Sequence, residues 1–347
     1  MRTLLDPEGT LHGSCPMSPE QIVEALRLML RSRALDDLGT KLQRLNLVGV
    51  YSPVQGQEAA VVGSAMALDP GRDWMIPASR EQPAWLRHGL PLENLLALYM
   101  GRIDQGLIPD GVNLLPRQQS IASQLPHAAG VAWALKLRRQ PGVALVYFGD
   151  GASSEGDFHE AANLAGVQRV PLVFLLINNR WAISTPVSKQ TAAEDLSARA
   201  AGYGFPGMAV DGDDLFAVYS ATKEAVGRAR SGAGPTLIEA RTYRIGFHNT
   251  SDNPREYRDD NEVAAAAARD PLERVRRYAT IAGIWSAERE AAVKAEIDAE
   301  LDAAQRKVAS LPRPGPEAIF DHVYETLPPR LRRQRARLLE SSARSEH

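Results

Sequence analysis

Two short segments hold residue types suited to joint metal and phosphate chemistry. They are Gly149-Asp150-Gly151 and, one strand–helix–strand unit later, Asn178-Asn179. Asp150 and Asn179 offer hard oxygen ligands. Mg2+ takes about six such oxygens and draws only a few from protein, the rest coming from phosphates and water. Asp150, Asn179 and one nearby carbonyl would meet that demand. A diphosphate together with Asp150 carries more negative charge than the ion neutralises, so the site also needs cations or amide donors. The amides of Gly151 and Ala152, at a helix start, suit that role. Gly149 and Gly151 let the backbone come close.

The elements that must position these residues are legible around them. Val143 to Phe148 is short, apolar and β-branched, the pattern of a strand buried on both faces, and it ends at Gly149. Ser153 or Ser154 then caps a helix with Glu155 and Asp157 in its first turn and Phe158, Ala161, Ala162 and Ala165 along one face. Pro171 to Ile177 is the next buried strand. Neighbouring parallel strands lie about 4.8 Å apart, so Asp150 and Asn179 emerge at one edge within reach of one ion. That edge is where open parallel sheets bind ligands.

Taken singly, Gly149-Asp150-Gly151 is an ordinary turn and Asn178-Asn179 an ordinary loop; the pair at this spacing is far more specific. A dinucleotide site is less apt: Gly149 to Gly156 reads GDGASSEG, not G-x-G-x-x-G, and no G-x-x-x-x-G-K-[ST] loop occurs.

The run GDGASSEGDFHEAANLAG followed by INNRWAIST resembles the thiamine-diphosphate motif of the α subunits of 2-oxo acid dehydrogenase complexes. The resemblance extends from about Ser18 to about Leu339, through Gly56 to Asp69, Ser123 to Gly130, Val210 to Ala225 and Thr242 to Arg258. Its blocks look most like the branched-chain type. It implies Mg2+ ligation by the side chains of Asp150 and Asn179 and by the carbonyl of Trp181. It also implies diphosphate contacts from Gly149, Gly151 and Ala152, an arginine grip from Arg80, and apolar packing of Ile121 on the aminopyrimidine ring. His248 matches the active-site loop histidine. Arg80 is a permanent cation with a phosphate-matching fork, and a histidine beside a diphosphate has its protonated form favoured.

The chain departs from relatives at several places. Ser79 stands where they usually have Tyr before the diphosphate arginine. Ile177 replaces an Arg before the paired asparagines, with Arg180 on the other side of the pair. Leu107 to Ser120 is shorter than in branched-chain relatives and lacks their histidine. Pyruvate-type relatives carry a His four residues before the Gly of their G-Q-E-A block. Ser52 occupies that place here, which favours a branched-chain substrate.

The 347 residues, 44% hydrophobic and 24% charged, suffice for one large or two ordinary domains. With 40 basic against 42 acidic residues there is no electrostatic case for nucleic acid. Cys15 is the sole cysteine, which excludes a disulfide framework or thiolate cluster within the chain and fits a reducing compartment. Met1 to Pro16 has no long apolar core, and no stretch reaches the ~20 apolar residues of a membrane span. The expectation is a cytoplasmic protein. The basic run Arg330 to Arg337 reads as a solvated face, with a docking surface for a partner as the alternative.

Along the chain, Ser18-Pro19-Glu20 opens a helix with Ile22, Leu26, Met29 and Leu30 as its apolar stripe. Further helices are expected over Gln57 to Leu68, Leu92 to Met100 and Pro126 to Leu137. Strand, helix and strand follow over Met208 to Val210, Leu215 to Arg230 and Thr236 to Ala240. This alternation predicts a doubly wound α/β fold, a mostly parallel sheet with helices on both faces and helical extensions at each end. The divisions are an N-terminal tail and packing helix over 1–50, the α/β domain over 51–265 and a helical region over 266–347. Arg244 to Asn261 is too polar and long for an ordinary connector. It reads as a functional loop ordering with cofactor and partner, with ion pairs from Arg244 to Asp252 and from Arg258 to nearby acids. Asn249 follows His248 where mammalian relatives carry a phosphorylated serine, so that switch is expected to be absent. Beyond Pro271 the chain is helical, with Leu272, Val275 and Tyr278 on one face and a break over Pro312 to Pro316.

In relatives, the glutamate that activates the coenzyme lies on a second, pyrimidine-binding domain, and the expectation is that one diphosphate-binding domain with its packing helices takes up the length of this chain. The resemblance therefore implies a β subunit, an α2β2 heterotetramer, a small 2-oxo acid substrate, and acyl transfer to a lipoyl-bearing acyltransferase core. His248 would stabilise charge at the reacting carbon or orient the lipoyl ring. A branched-chain 2-oxo acid dehydrogenase α subunit is the leading expectation and a pyruvate or acetoin enzyme the second. A catalytically silent scaffold or regulatory subunit is the reading from another class.

Overall fold

The computed structural model describes residues 1–102, 105–321 and 323–345. Its first long helix, α1 (Pro19–Arg44), opens on a full capping box: Ser18 Oγ accepts from the Gln21 amide, and the Gln21 side chain accepts from the Ser18 amide. Ile22, Leu26, Met29 and Leu30 are all buried, so this helix is an integral wall of the core. It packs on α2 (Glu58–Met66).

There follow β1 (Trp74–Ile76), α3 (Gln82–Arg87), α4 (Leu92–Tyr99), α5 (Gln124–Leu137), β2 (Ala144–Gly149), α6 (Gly156–Gln168) and β3 (Leu172–Asn178). A small hairpin, β4 (Trp181–Ala182) and β5 (Thr185–Pro186), precedes β6 (Gly207–Asp211), α7 (Leu215–Arg230) and β7 (Thr236–Arg241). The C-terminal helices are α8 (Asp260–Ala267), α9 (Pro271–Ile281), α10 (Ala287–Ala309), α11 (Ala318–Asp321) and α12 (Pro329–Ser345). Among the described residues no helix is long and apolar enough to cross a membrane.

The five main strands form one parallel sheet in the order β1-β2-β3-β7-β6. Successive residues of a strand point to opposite faces, and the two cores record this. Leu145, Tyr147, Val173, Leu175 and Ile177 join the core shared with α1, α2, α7 and α9. Ala144, Val146, Phe148, Leu172, Phe174 and Leu176 join the core under α5 and α6. Both faces are therefore covered, which is why these strands read as continuous apolar runs. The expected doubly wound α/β architecture is the one observed.

Three local features differ from those expected. Neither Ser153 nor Ser154 caps α6: Gly151–Ser154 forms a 3₁₀ turn, Ser153 Oγ donates to the Asp150 carbonyl at 2.6 Å, and the N-cap is Glu155. The loop after Arg244 ends earlier than expected, because Asp259 caps α8 through the Asn261 amide at 2.7 Å. The expected ion pairs of that loop are replaced. Tyr257 stands between Arg244 and Asp252, accepting from Arg244 Nη2 at 2.8 Å and donating to Asp252 Oδ2 at 2.6 Å. Arg258 donates to the carbonyls of Arg244 and Gly246.

Candidate functional site

The register of β2 against β3 sets Gly149 opposite Ile177, so the residues that follow each strand leave the sheet side by side. There they line a cavity of about 330 Å³, together with Arg80, Ile121 and His248. All nine residues singled out in the sequence border this one space.

Asp150 is 2% exposed, and its Oδ2 accepts from Gln190 Nε2 at 2.6 Å. Burial pushes its carboxyl up, while the Gln190 bond acts in the opposite direction. Asn179 Nδ2 donates to Gln57 Oε1 at 3.0 Å, and Asn179 Oδ1 accepts from the Trp181 amide at 3.2 Å. A lone pair of that amide oxygen is left for another partner. The Trp181 carbonyl accepts from Arg244 Nη1 at 3.3 Å. Gly151 and Ala152 open the 3₁₀ turn, where the first amides have no acceptor within the turn itself. A Cβ on Gly151 would lie 2.8 Å from the Cβ of Ala182, so glycine there lets the β4–β5 hairpin close over the turn. Gly149 borders the cavity as the last residue of β2.

Arg80 is buried. Its Nη1 donates to the Pro53 carbonyl at 2.7 Å, and its Nη2 lies 3.0 Å from His248 Nδ1 and also donates to the His248 carbonyl. Arg244, fully buried, places Nη1 3.3 Å from the same Nδ1, and its Nη2 donates to the Ile183 carbonyl at 2.7 Å. Among the described residues neither guanidinium has a carboxylate within ion-pair distance. Burial and the neighbouring Arg244 push Arg80 down to about 10. Burial, then Arg80 and Arg244, push His248 down to about 4. The protein surroundings by themselves thus favour the neutral imidazole; the protonated form expected from the sequence requires an added anion.

Ile121 lies at the cavity mouth with 63% of its surface exposed. Ser79 also borders the cavity. Arg180 does not line it: that side chain is exposed and borders a separate pocket, so it does not stand in for the missing arginine at Ile177. The second cation is Arg244, which does not line the cavity itself but reaches it from behind through His248 Nδ1 and the Trp181 carbonyl; from the sequence it was expected only in an ion pair. Gln57 and Gln190 were likewise missed as partners of Asn179 and Asp150. Their positions, in the GQEA block and after the hairpin, were the only signals available.

This arrangement suits a multiply charged anion held with a hard cation. Asp150, Asn179 and the Trp181 carbonyl are too few to enclose an ion. Among the described residues no group of three or more His, Cys, Asp or Glu side chains is placed to hold a metal ion by itself. They fit an ion that keeps most of its ligands from phosphate and water.

Comparison with known proteins agrees. A family model described as dehydrogenase E1 component matches residues 26–317. Pyruvate dehydrogenase E1 component subunit alpha of Staphylococcus aureus (strain Mu50 / ATCC 700699) is 41% identical over 319 residues, covering 92% of this chain and 86% of the relative. The protein of the same name from Staphylococcus epidermidis (strain ATCC 12228 / FDA PCI 1200) is 40% identical over 338 residues, covering 96% and 91%. These relatives carry the pyruvate name, so they do not support the branched-chain leaning drawn from Ser52. With nearly its whole length matched, the chain belongs to the dehydrogenase E1 component family, as a homologue of its α subunits.

Proposed function

We propose that the chain is the α subunit of a thiamine-diphosphate- and Mg2+-dependent 2-oxo acid dehydrogenase that acts on pyruvate. One observation carries the cofactor assignment. Two buried guanidinium groups, Arg80 on the cavity wall and Arg244 behind it, converge on His248 without a carboxylate partner, and Arg80 and His248 share their cavity with Asp150 and Asn179 at the carboxyl ends of adjacent strands. Burying unpaired cations is costly, and a diphosphate with its metal supplies the missing charge.

In this reading Asp150, Asn179 and the Trp181 carbonyl hold Mg2+. The amides of Gly151 and Ala152, with the backbone at Gly149, meet the diphosphate, and Arg80 grips it. Ile121 offers an apolar surface to the aminopyrimidine ring. Thiamine diphosphate supplies a nucleophilic carbon and an electron sink for decarboxylation. His248, protonated once an anion lies beside it, donates toward the reacting end of the site. In the neutral imidazole Nδ1 accepts from the two guanidinium groups and Nε2 carries the proton; the second proton enters at Nδ1 once the anion draws those guanidinium groups away.

The α/β domain over 51–265 provides this half-site, flanked by the segments 1–50 and 266–347. The activating acid comes from a β subunit in an α2β2 assembly in the cytoplasm, and the acyl group passes to a lipoyl-bearing acyltransferase core. The relatives' names support pyruvate over 3-methyl-2-oxobutanoate. Reconstitution with the β subunit and comparison of the two decarboxylation rates tests this. A higher kcat/KM for 3-methyl-2-oxobutanoate would restore the branched-chain reading, and no turnover of any 2-oxo acid would favour the silent scaffold.

A further inference from the structure

Gln57 is the first residue after a tightly constrained turn. Gly56 has φ +94°, and a Cβ there would lie 2.3 Å from the Tyr243 carbonyl, so only glycine lets this turn rest against the strand that leads to His248. The turn is locked from both sides: the Gly56 amide donates to Glu58 Oε2 at 2.8 Å, and its carbonyl accepts from Thr242 Oγ1 at 2.5 Å. Glu58 is itself held by Arg33 Nε at 2.6 Å. The backbone of Gln57 is therefore fixed at the edge of the cavity.

Its side chain is 98% buried and has two ends in different situations. Oε1 accepts from Asn179 Nδ2 at 3.0 Å, which dictates which way the Asn179 amide points. Nε2 is buried and has no acceptor among the described residues. A buried donor left without an acceptor is destabilising, because its desolvation is not offset. A side chain serving only to orient Asn179 would need no donor; a glutamate oxygen would do as well. The same residue borders the cavity that holds Asp150 and Arg80.

We infer that Gln57 is a ligand-binding residue: it orients Asn179 through Oε1 and donates from Nε2 to an anionic oxygen of the diphosphate–metal group. This rests on the cofactor reading proposed above. The donor adds a neutral contact between the cation grip of Arg80 and the metal ligands. It also makes amide rather than carboxylate the required side chain at this position.

The test is calorimetric titration of the chain, assembled with its β subunit, using inorganic pyrophosphate with Mg2+ and then thiamine diphosphate with Mg2+. Gln57→Glu keeps an acceptor for Asn179 and replaces the donor by a repelling oxygen; Gln57→Met removes both functions at similar volume. Each variant is expected to lose at least tenfold in affinity for both ligands. A folded variant that binds both within threefold of the parent overturns the inference. Failure of the parent itself to bind either ligand overturns the cofactor reading instead. Should neither variant fold, the parent labelled with 15N-glutamine decides. A side-chain amide signal that shifts and exchanges more slowly on adding Mg2+ pyrophosphate supports the donor, and the absence of any such signal overturns it.

Discussion

Arg80 and Arg244 end on one atom: their guanidinium nitrogens lie 3.0 and 3.3 Å from His248 Nδ1. Like charges brought together in a buried setting repel, and neither cation has an acidic partner at hand. Arg80→Met should therefore leave the melting temperature of the cofactor-free protein unchanged or raised. Affinity for thiamine diphosphate should fall by at least about 2 kcal/mol, the low end for truncating a buried charged contact. Thermal melts and calorimetry on one preparation check both halves. A lower melting temperature with undiminished affinity would mean that Arg80 is a structural brace.

Asp150 is the one carboxylate in the proposed metal set, held by Gln190 and raised by burial. Asp150→Asn keeps its shape and loses its charge. Cofactor binding should then become insensitive to Mg2+ and weaken by at least about 10- to 100-fold, the range for losing even a residue that only orients a metal ligand. Chelation of divalent ions should bring the unsubstituted protein down to a similar level. Equal Mg2+ dependence in the variant and the parent would remove Asp150 from the ligand set.

His248 carries a pH signature. Its folded value of about 4 lies below its ordinary 6.5 because of burial and the two arginines. Above pH 6.5 neither folded nor unfolded chain protonates it, so it has no effect on stability. As pH falls toward 4 the unfolded chain takes up a proton that the folded chain refuses, and stability declines; below that the penalty is constant. A diphosphate placed near the imidazole reverses the preference, so binding near pH 6 should take up protons. Titrations in buffers of different ionisation enthalpy measure that uptake. His248→Gln should abolish most of it while retaining much of the affinity.

The paired segments after β2 and β3 were legible because both strands are buried on both faces, which leaves uninterrupted β-branched runs whose ends are easy to mark. The resemblance located Arg80 and His248 in the same way, by position along the chain. Arg244 was not legible: its polar loop gives no sign that its side chain is fully buried, and its partners are carbonyls set by tertiary packing. Gln57 and Gln190 were hidden for a related reason, since contacts spanning 122 and 40 residues leave no local periodicity. Strand β1, three residues long, is too short to show alternation at all. The helix start at Gly156 escaped because Ser153 spends its hydroxyl on the Asp150 carbonyl rather than on a cap.

Ile183 combines two costs. It is β-branched at φ +55°, a conformation that brings Cβ against the backbone at about 1–2 kcal/mol, and its side chain is 55% exposed at the cavity mouth. Burial in this chain's own core does not offset that strain. What holds the backbone is Arg244, which takes the Ile183 carbonyl at 2.7 Å and the Trp181 carbonyl at 3.3 Å. The strained turn thus aims the carbonyl proposed as a metal ligand. Ile183→Asn, which tolerates this backbone, should stabilise the cofactor-free protein by about 1 kcal/mol, from the relief of left-handed strain. The geometry of the hairpin should be retained, so Mg2+ dependence should persist. Loss of an apolar surface at the mouth should instead appear as weaker binding of thiamine diphosphate, with pyrophosphate affinity unchanged. A variant that lost both ligands equally would show that Ile183 supports the hairpin rather than offering an apolar surface at the cavity mouth.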